Sequence, residues 1–370
     1  MKFSCEKALL QQALSDAIRA VSSKSPIPAM EGFLLKANEN LEITGYNSEI
    51  GIRTNISASI EEPGNLVLPA RLTLDIIRSF PDNIVTLESD ASFTTVIHCG
   101  AAVFNLIGLN PKDFPELPVL LEEYNIQMKA GTLRTMINGA IFAAADNDNN
   151  PVMTGCKFEF TENQLTIIAL DYYHMAIRRS EVEYAGKENQ SFIIPAKTLR
   201  ELERFLVNED TDLQMAVSKK NIAFSFENTV LTSQLLEGEF INYKNVLPKS
   251  SAIRLTVNTD TLIKSLERTS LVISESAKNY TEFRFEGDVL RLICTTAIGR
   301  AYDECPISTE TGNSLRIGFN ARYILDALRA CKDETITIEL NTDLSPCIIV
   351  PTEGNRYLYF IMPTRLKDNV

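Results

Sequence analysis

The feature that most constrains this chain is a repeat as long as a domain. An apolar strand, a small residue and a helix carrying two basic positions occur at Leu66-Val67-Leu68-Pro69-Ala70-Arg71, at Phe192-Ile193-Ile194-Pro195-Ala196-Lys197, and at Leu315-Arg316-Ile317-Gly318-Phe319-Asn320-Ala321-Arg322. Each helical pattern ends on an arginine, Arg78, Arg204 and Arg329, which are 126 and 125 residues apart (204 − 78 and 329 − 204). A strand, tight turn and strand recur in step around Asn38-Glu39-Asn40, Thr161-Glu162-Asn163 and Glu286-Gly287-Asp288. The alternation Leu165, Ile167, Ala169, or Leu290, Leu292, Cys294, is that of half-buried strands. Each unit opens with a strand and a helix, over 2–20, 126–145 and 254–273, and Asp260 occupies an expected N-cap. Proline-marked segments at 113–118 and 246–248 put the boundaries near Tyr124 and Ser250, giving units 1–124, 125–250 and 251–370. With no flexible linker between them, the units are expected to pack edge to edge through connected sheets.

In each repeated helix the two basic residues lie seven apart: Arg71 and Arg78, Lys197 and Arg204, Arg322 and Arg329. Seven steps of about 100° fall about 20° short of two turns, so both side chains leave one face. Arg134, Arg200, Lys264 and Arg268 are candidates for the same surface. The net charge of −12 argues against a polyanionic partner when summed over the chain. Repetition of a basic face lets an acidic protein carry a basic lining suited to sequence-blind phosphate contact.

Catalytic signatures are sparse. There are two histidines, His98 and His174, with no triad-like or ligand-spaced neighbour, and no P-loop, dinucleotide fingerprint or Gly-x-Ser-x-Gly. The acidic run 146–150 lacks the glycine and terminal glutamate of a calcium loop and reads as a solvated loop. No metal or cofactor is expected. Seven scattered cysteines without C-x-x-C spacing read as reduced buried thiols. Neither a signal peptide nor an apolar run of membrane-spanning length is found, so a cytoplasmic protein is expected.

The C-terminal Tyr359-Phe360-Ile361-Met362-Pro363-Thr364-Arg365-Leu366, with Met1-Lys2-Phe3, Val67-Leu68-Pro69-Ala70-Arg71 and Tyr243-Lys244-Asn245-Val246-Leu247-Pro248, resembles bacterial sliding clamps, the beta subunit of DNA polymerase III. The resemblance spans essentially the whole chain. It implies an α+β fold of three tandem clamp domains, each with two helices packed on antiparallel sheets. Two chains would form a head-to-tail homodimer, a six-domain ring around duplex DNA that tethers the replicative polymerase, the clamp loader, other polymerases and repair proteins through short linear motifs. It further implies a peptide pocket at Met153, Leu170, Tyr172, Tyr173, His174, Met175, Ile241, Asn245, Val246, Leu344, Phe360, Met362, Pro363, Thr364, Arg365 and Leu366. Phe104, Leu271 and Val272 are the positional candidates for the subunit contact.

The sequence departs from the family where Thr-Asp-Gly-His-Arg-Leu is replaced by Leu170-Asp171-Tyr172-Tyr173-His174-Met175, and where a common Pro and Arg become Ile241 and Asn245. Lys367 to Val370 run past the usual end, where they could cover part of the pocket. The rival classes are a duplicated-domain peptide scaffold that ignores DNA and a metal-dependent nucleic-acid-processing enzyme.

Overall fold

The computed structural model of the protein describes residues 1–118, 124–182, 189–273, 280–312 and 314–366. The tail 367–370 lies outside the described residues, and so does the expectation placed on it.

The repeated hairpins form as the alternating patterns require. They pair Gly32–Ala37 with Leu41–Tyr46, Gly155–Thr161 with Gln164–Leu170, and Thr281–Glu286 with Val289–Thr296. In the second and third hairpins the turn carries a left-handed residue at matching places, Glu162 (φ 49°) and Gly287 (φ 58°). Glycine takes that conformation without the steric cost of a side chain.

Six helices are named here in chain order: α1 (Lys7–Ala17), α2 (Ala70–Ser79), α3 (Ala130–Asn138), α4 (Ala196–Glu203), α5 (Thr259–Ser270) and α6 (Ala321–Ala330). In α2 the residues Thr73, Leu74, Ile76 and Ile77 are buried; in α6 the residues Ile324, Leu325, Ala327 and Leu328 repeat the pattern. The opposite faces carry the arginines. The expected N-cap of α5 is corrected by two residues: Asn258 caps it, its Oδ1 accepting the Thr261 N–H at 2.9 Å, and Asp260 sits in the first turn. Asn320 caps α6 in the same manner, through the Arg322 N–H at 3.0 Å. Both caps satisfy a backbone donor that the helix itself leaves open. The α4 helix ends at Glu203, so Arg204 stands in the following turn, its N–H bonded to the Glu201 carbonyl at 3.2 Å.

The chain divides into two compact units, one of Met1–Gly131 with Arg200–Leu235, the other of Thr132–Leu199 with Leu236–Val370. The first holds a five-stranded and an eight-stranded sheet. In the larger sheet, Thr229–Gln234 from the middle third pairs antiparallel with Ile50–Ile56 from the first. A core around Phe3, Leu14, Phe33, Leu41, Ile43 and Leu87 lies beneath α1 and α2. The second unit holds a twelve-stranded sheet in which His174–Glu181 pairs with Tyr357–Ile361, joining the middle third to the last. Edge-to-edge continuation of sheets across the repeats is therefore present within each unit. Among the described residues no helix is long and apolar enough to cross a membrane.

Candidate peptide pocket and basic helix faces

The second unit brings most of the expected pocket residues around one turn. Between Gln164–Leu170 and His174–Glu181 the chain reverses at Asp171-Tyr172-Tyr173. The Asp171 carboxylate accepts the backbone N–H groups of Tyr173 (2.7 Å) and His174 (2.8 Å), and its Oδ1 lies 2.7 Å from His174 Nδ1. Burial works against the charged form of Asp171, but the His174 ring and the two backbone donors outweigh it and hold the carboxyl below its usual range. Asp171 is thus a structural anchor for the turn.

With its other nitrogen, Nε2, 3.3 Å from the Phe142 carbonyl oxygen, the His174 ring is fixed at both ends. Tyr323 of α6 stacks on it at 4.4 Å between centroids, and stacks on Tyr173 at 6.0 Å. Phe142 meets Tyr359 edge-on at 5.5 Å. The fixed stack leaves Tyr172 and Tyr173 pointing to solvent, 67% and 57% exposed.

The C-terminal wall is tied to the same turn. Past the strand Tyr357–Ile361 the Met362 N–H donates to the Tyr173 carbonyl at 2.8 Å, and the Thr364 N–H donates to the Gly318 carbonyl at 2.8 Å. A Cβ at position 318 would stand 2.7 Å from the Thr364 carbonyl oxygen and 2.8 Å from Leu366 Cδ2, so only glycine admits the segment this closely. Residues 362–366 lie between the tyrosine turn and the edge strand Leu315–Phe319. Pro363 and Leu366 are half-buried there; Met362, Thr364 and Arg365 are exposed.

Beneath this surface Met153, Leu170, Met175, Phe240 and Tyr243 share one buried cluster, with half-buried Phe360 packed against it. Tyr243 donates its hydroxyl to Glu159 at 2.8 Å. Met153, Leu170 and Met175 are therefore closed to solvent, and the exposed large apolar side chains among the expected residues are Tyr172, Tyr173, Ile241, Val246, Leu344 and Met362. Asn245 is exposed beside Val246. Leu344 sits on the turn before Cys347–Pro351, whose Cys347 pairs with Ile361. Exposed large apolar side chains in such number are candidates for an interaction site.

The basic residues divide by unit. In the first, Arg71 and Arg78 are exposed on α2, with Arg78 Nη2 3.5 Å from Ser15 Oγ. Arg200 and Arg204 are exposed at the end of α4, and Glu201 lies 3.9 Å from Arg204 and 3.5 Å from Arg19. In the second unit Lys197 is exposed and Arg134 half-buried. On α5 and α6, which pack together, every expected cation meets a carboxylate. The pairs are Lys264 with Asp260 (2.5 Å), Arg268 with Asp303 (2.6 Å), Arg322 with Asp326 (3.8 Å) and Arg329 with Glu267 (2.7 Å).

Each unit also has an open sheet margin. In the first, Ala102–Ile107 is an edge strand on which Val103, Phe104 and Ile107 are exposed, Phe104 resting on Phe80 at 5.6 Å. In the second, residues 299–306 pair on one side with Val289–Thr296, and the described residues supply no strand on the other. Near that margin Leu271, Ile298 and Tyr302 are exposed; Val272 is half-buried, its carbonyl accepting the Thr296 hydroxyl at 3.0 Å.

Sequence reasoning did not find Tyr323, Phe142, Val103, Ile107, Ile298 or Tyr302. Only the Asn320 cap and the repeated helix mark the vicinity of Tyr323; the others carry no local signal.

Residues 1–118 match the family profile of the DNA polymerase III beta subunit N-terminal domain, 127–242 its central domain and 244–365 its C-terminal domain. A beta sliding clamp from Halalkalibacterium halodurans is 30% identical over 378 residues, spanning 99% of this chain and 100% of its own length. A crystal structure of a DNA polymerase III beta subunit from Eubacterium rectale superposes with a TM-score of 0.95 at 32% identity, over 99% of this chain and 100% of the other. The DNA polymerase sliding clamp from Bacillus subtilis gives a TM-score of 0.95 at 26% identity with the same coverage.

Proposed function

Because this chain belongs to the DNA polymerase III beta subunit family and is a non-enzymatic DNA polymerase processivity factor, we propose that it works as a head-to-tail homodimer closed around duplex DNA. Its three clamp domains would span 1–124, 125–250 and 251–370. The ring would close by pairing the open margin at Ala102–Ile107 of one protomer with the margin at 299–306 of its partner. Val103, Phe104 and Ile107 would then cover Leu271, Val272, Ile298 and Tyr302. Pairing two unsatisfied strand edges removes exposed backbone donors and acceptors together with apolar surface.

The observation that carries the reading is the recurrence of an exposed basic helix face at a spacing of one domain in a chain of net charge −12. Such a lining supports weak, sequence-blind phosphate contact. A topological link does not need tight contact, so weak contacts hold the ring on its track while leaving it free to slide. The polymerase, the clamp loader and repair proteins would dock by short motifs on Tyr172, Tyr173, Ile241, Val246, Leu344 and Met362. Tethering then raises the effective concentration of the polymerase at the primer end.

Primer extension on a long single-stranded circle tests this reading. With the cognate polymerase, loader and ATP, adding the protein should shift products from short to full length under single-encounter conditions. An unchanged product length would refute it.

A further inference from the structure

We propose that the domains grip DNA unequally, the first through open arginines and the third through cations already engaged by carboxylates of their own surface. The proposal rests on the reading that these helix faces meet the duplex. On α2, Arg71 and Arg78 are both exposed, and among the described residues neither has a carboxylate within ion-pair distance, although Asp75 lies on the same helix. On α5 and α6, by contrast, Asp260, Glu267, Asp303 and Asp326 stand 2.5 to 3.8 Å from Lys264, Arg329, Arg268 and Arg322.

The same helix position of the repeat, the second arginine, shows the difference directly. Among the described residues Arg78 meets the Ser15 hydroxyl at 3.5 Å and no carboxylate, whereas Arg329 donates to the Glu267 carboxylate at 2.7 Å. An exposed ion pair is worth little to stability, so these carboxylates are weak locks on the fold. Their effect on a polyanion is larger. A phosphate approaching Arg329 or Lys264 also approaches a like charge a few ångströms away, and the pair has fewer condensed counterions to displace from DNA than a lone cation has. The four carboxylates of α5, α6 and the adjoining strand therefore keep the grip of the third domain low, and Arg71 and Arg78 carry more of the salt-sensitive contact than Arg322 and Arg329 do.

Binding of the full-length protein to a short fluorescent duplex, measured by anisotropy from 50 to 200 mM salt, tests this. Each full phosphate contact contributes about 0.9 to the log–log salt slope, or roughly threefold in affinity over that range. Arg71→Ala with Arg78→Ala should flatten the salt response by about tenfold over the range, and Arg322→Ala with Arg329→Ala by less than about threefold. Glu267→Gln with Asp326→Asn should tighten binding at 50 mM by about threefold or more. Glu39→Gln, which removes a charge on the exposed turn of the first hairpin, controls for net charge and should change binding by less than about twofold. Equal losses from the two arginine pairs, or no gain from Glu267→Gln with Asp326→Asn beyond the Glu39→Gln control, would overturn the inference and leave the DNA-facing reading standing. If neither arginine pair alters binding while both variants melt and sediment normally, the DNA-facing reading itself falls.

Discussion

Replacing Tyr323 by leucine should weaken peptide binding without disturbing the rest of the molecule. The ring stacks on His174 at 4.4 Å and on Tyr173 at 6.0 Å, and leucine keeps much of its apolar bulk while removing both stacks. An aromatic pair contributes about 0.5–1.5 kcal/mol beyond area burial, so the two together contribute about 1–3 kcal/mol. Most of that goes into holding the 171–174 turn and, through the Met362 N–H to Tyr173 carbonyl bond, the C-terminal wall. If about 1–2 kcal/mol of this preorganisation is lost to the ligand, the affinity falls by about 5- to 30-fold. Fluorescence anisotropy with a labelled peptide from the clamp-binding segment of the cognate polymerase measures it. Tyr323→Phe keeps the stack and should stay within about twofold of the parent. Unaltered affinity in Tyr323→Leu, or an equal loss in Tyr323→Phe, would refute the stacking argument.

Deleting 362–370 should abolish peptide binding while sedimentation still reports a dimer; retained affinity would place the pocket elsewhere. Ile107→Glu puts a charge on the most exposed apolar residue of the open edge strand, 79% exposed, and should dissociate the dimer in sedimentation equilibrium. An unshifted dimer constant would move the interface away from that margin. Asp171 and Glu159 lead to an expectation for acid stability. Burial opposes the charged form of Glu159, yet hydrogen bonds from Lys157 and Tyr243 hold its carboxyl below its usual range, as the His174 contacts do for Asp171. Groups with a lowered folded pKa stabilise above their unfolded values, about 4.3 for Glu and 3.9 for Asp, and lose that contribution as pH falls through the folded values. Thermal melts should therefore decline below about pH 4.5, and the decline should be shallower in Tyr243→Phe, which lacks the hydroxyl donor to Glu159. An identical pH profile in that variant would contradict the assignment.

Much of the fold was legible because three landmarks recur in the same order, and chance rarely repeats a hairpin, a strand and a two-arginine helix in step. The hairpins at 38–40, 161–163 and 286–288 fall where the alternation ends. Local capping was less legible: Asp260 and Asn258 are both good cap residues, and the choice rests on which residue keeps extended φ and ψ, a property of the preceding strand. Met153, Leu170 and Met175, which share a buried cluster, were named from family resemblance, whereas Tyr323 was not. Tyr323 lies 149 residues from His174 (323 − 174), and no spacing rule connects them. The sheet margins were hidden for a related reason. Val103 and Ile107 alternate no differently from residues of an interior strand, and only the sheet order makes Ala102–Ile107 an edge. Charge pairing was the least legible, since the acidic partners of Arg268 and Arg329 come from other elements.

Encirclement is a topological property, and release on cutting the DNA reports it directly. The protein is loaded with the cognate clamp loader and ATP onto a nicked circular plasmid, then passed through gel filtration in high salt before and after the DNA is cut once. A closed ring stays with the circle and leaves the linear form by running off its ends. Equal retention on both forms would mean that the protein grips DNA directly, and encirclement would be contradicted.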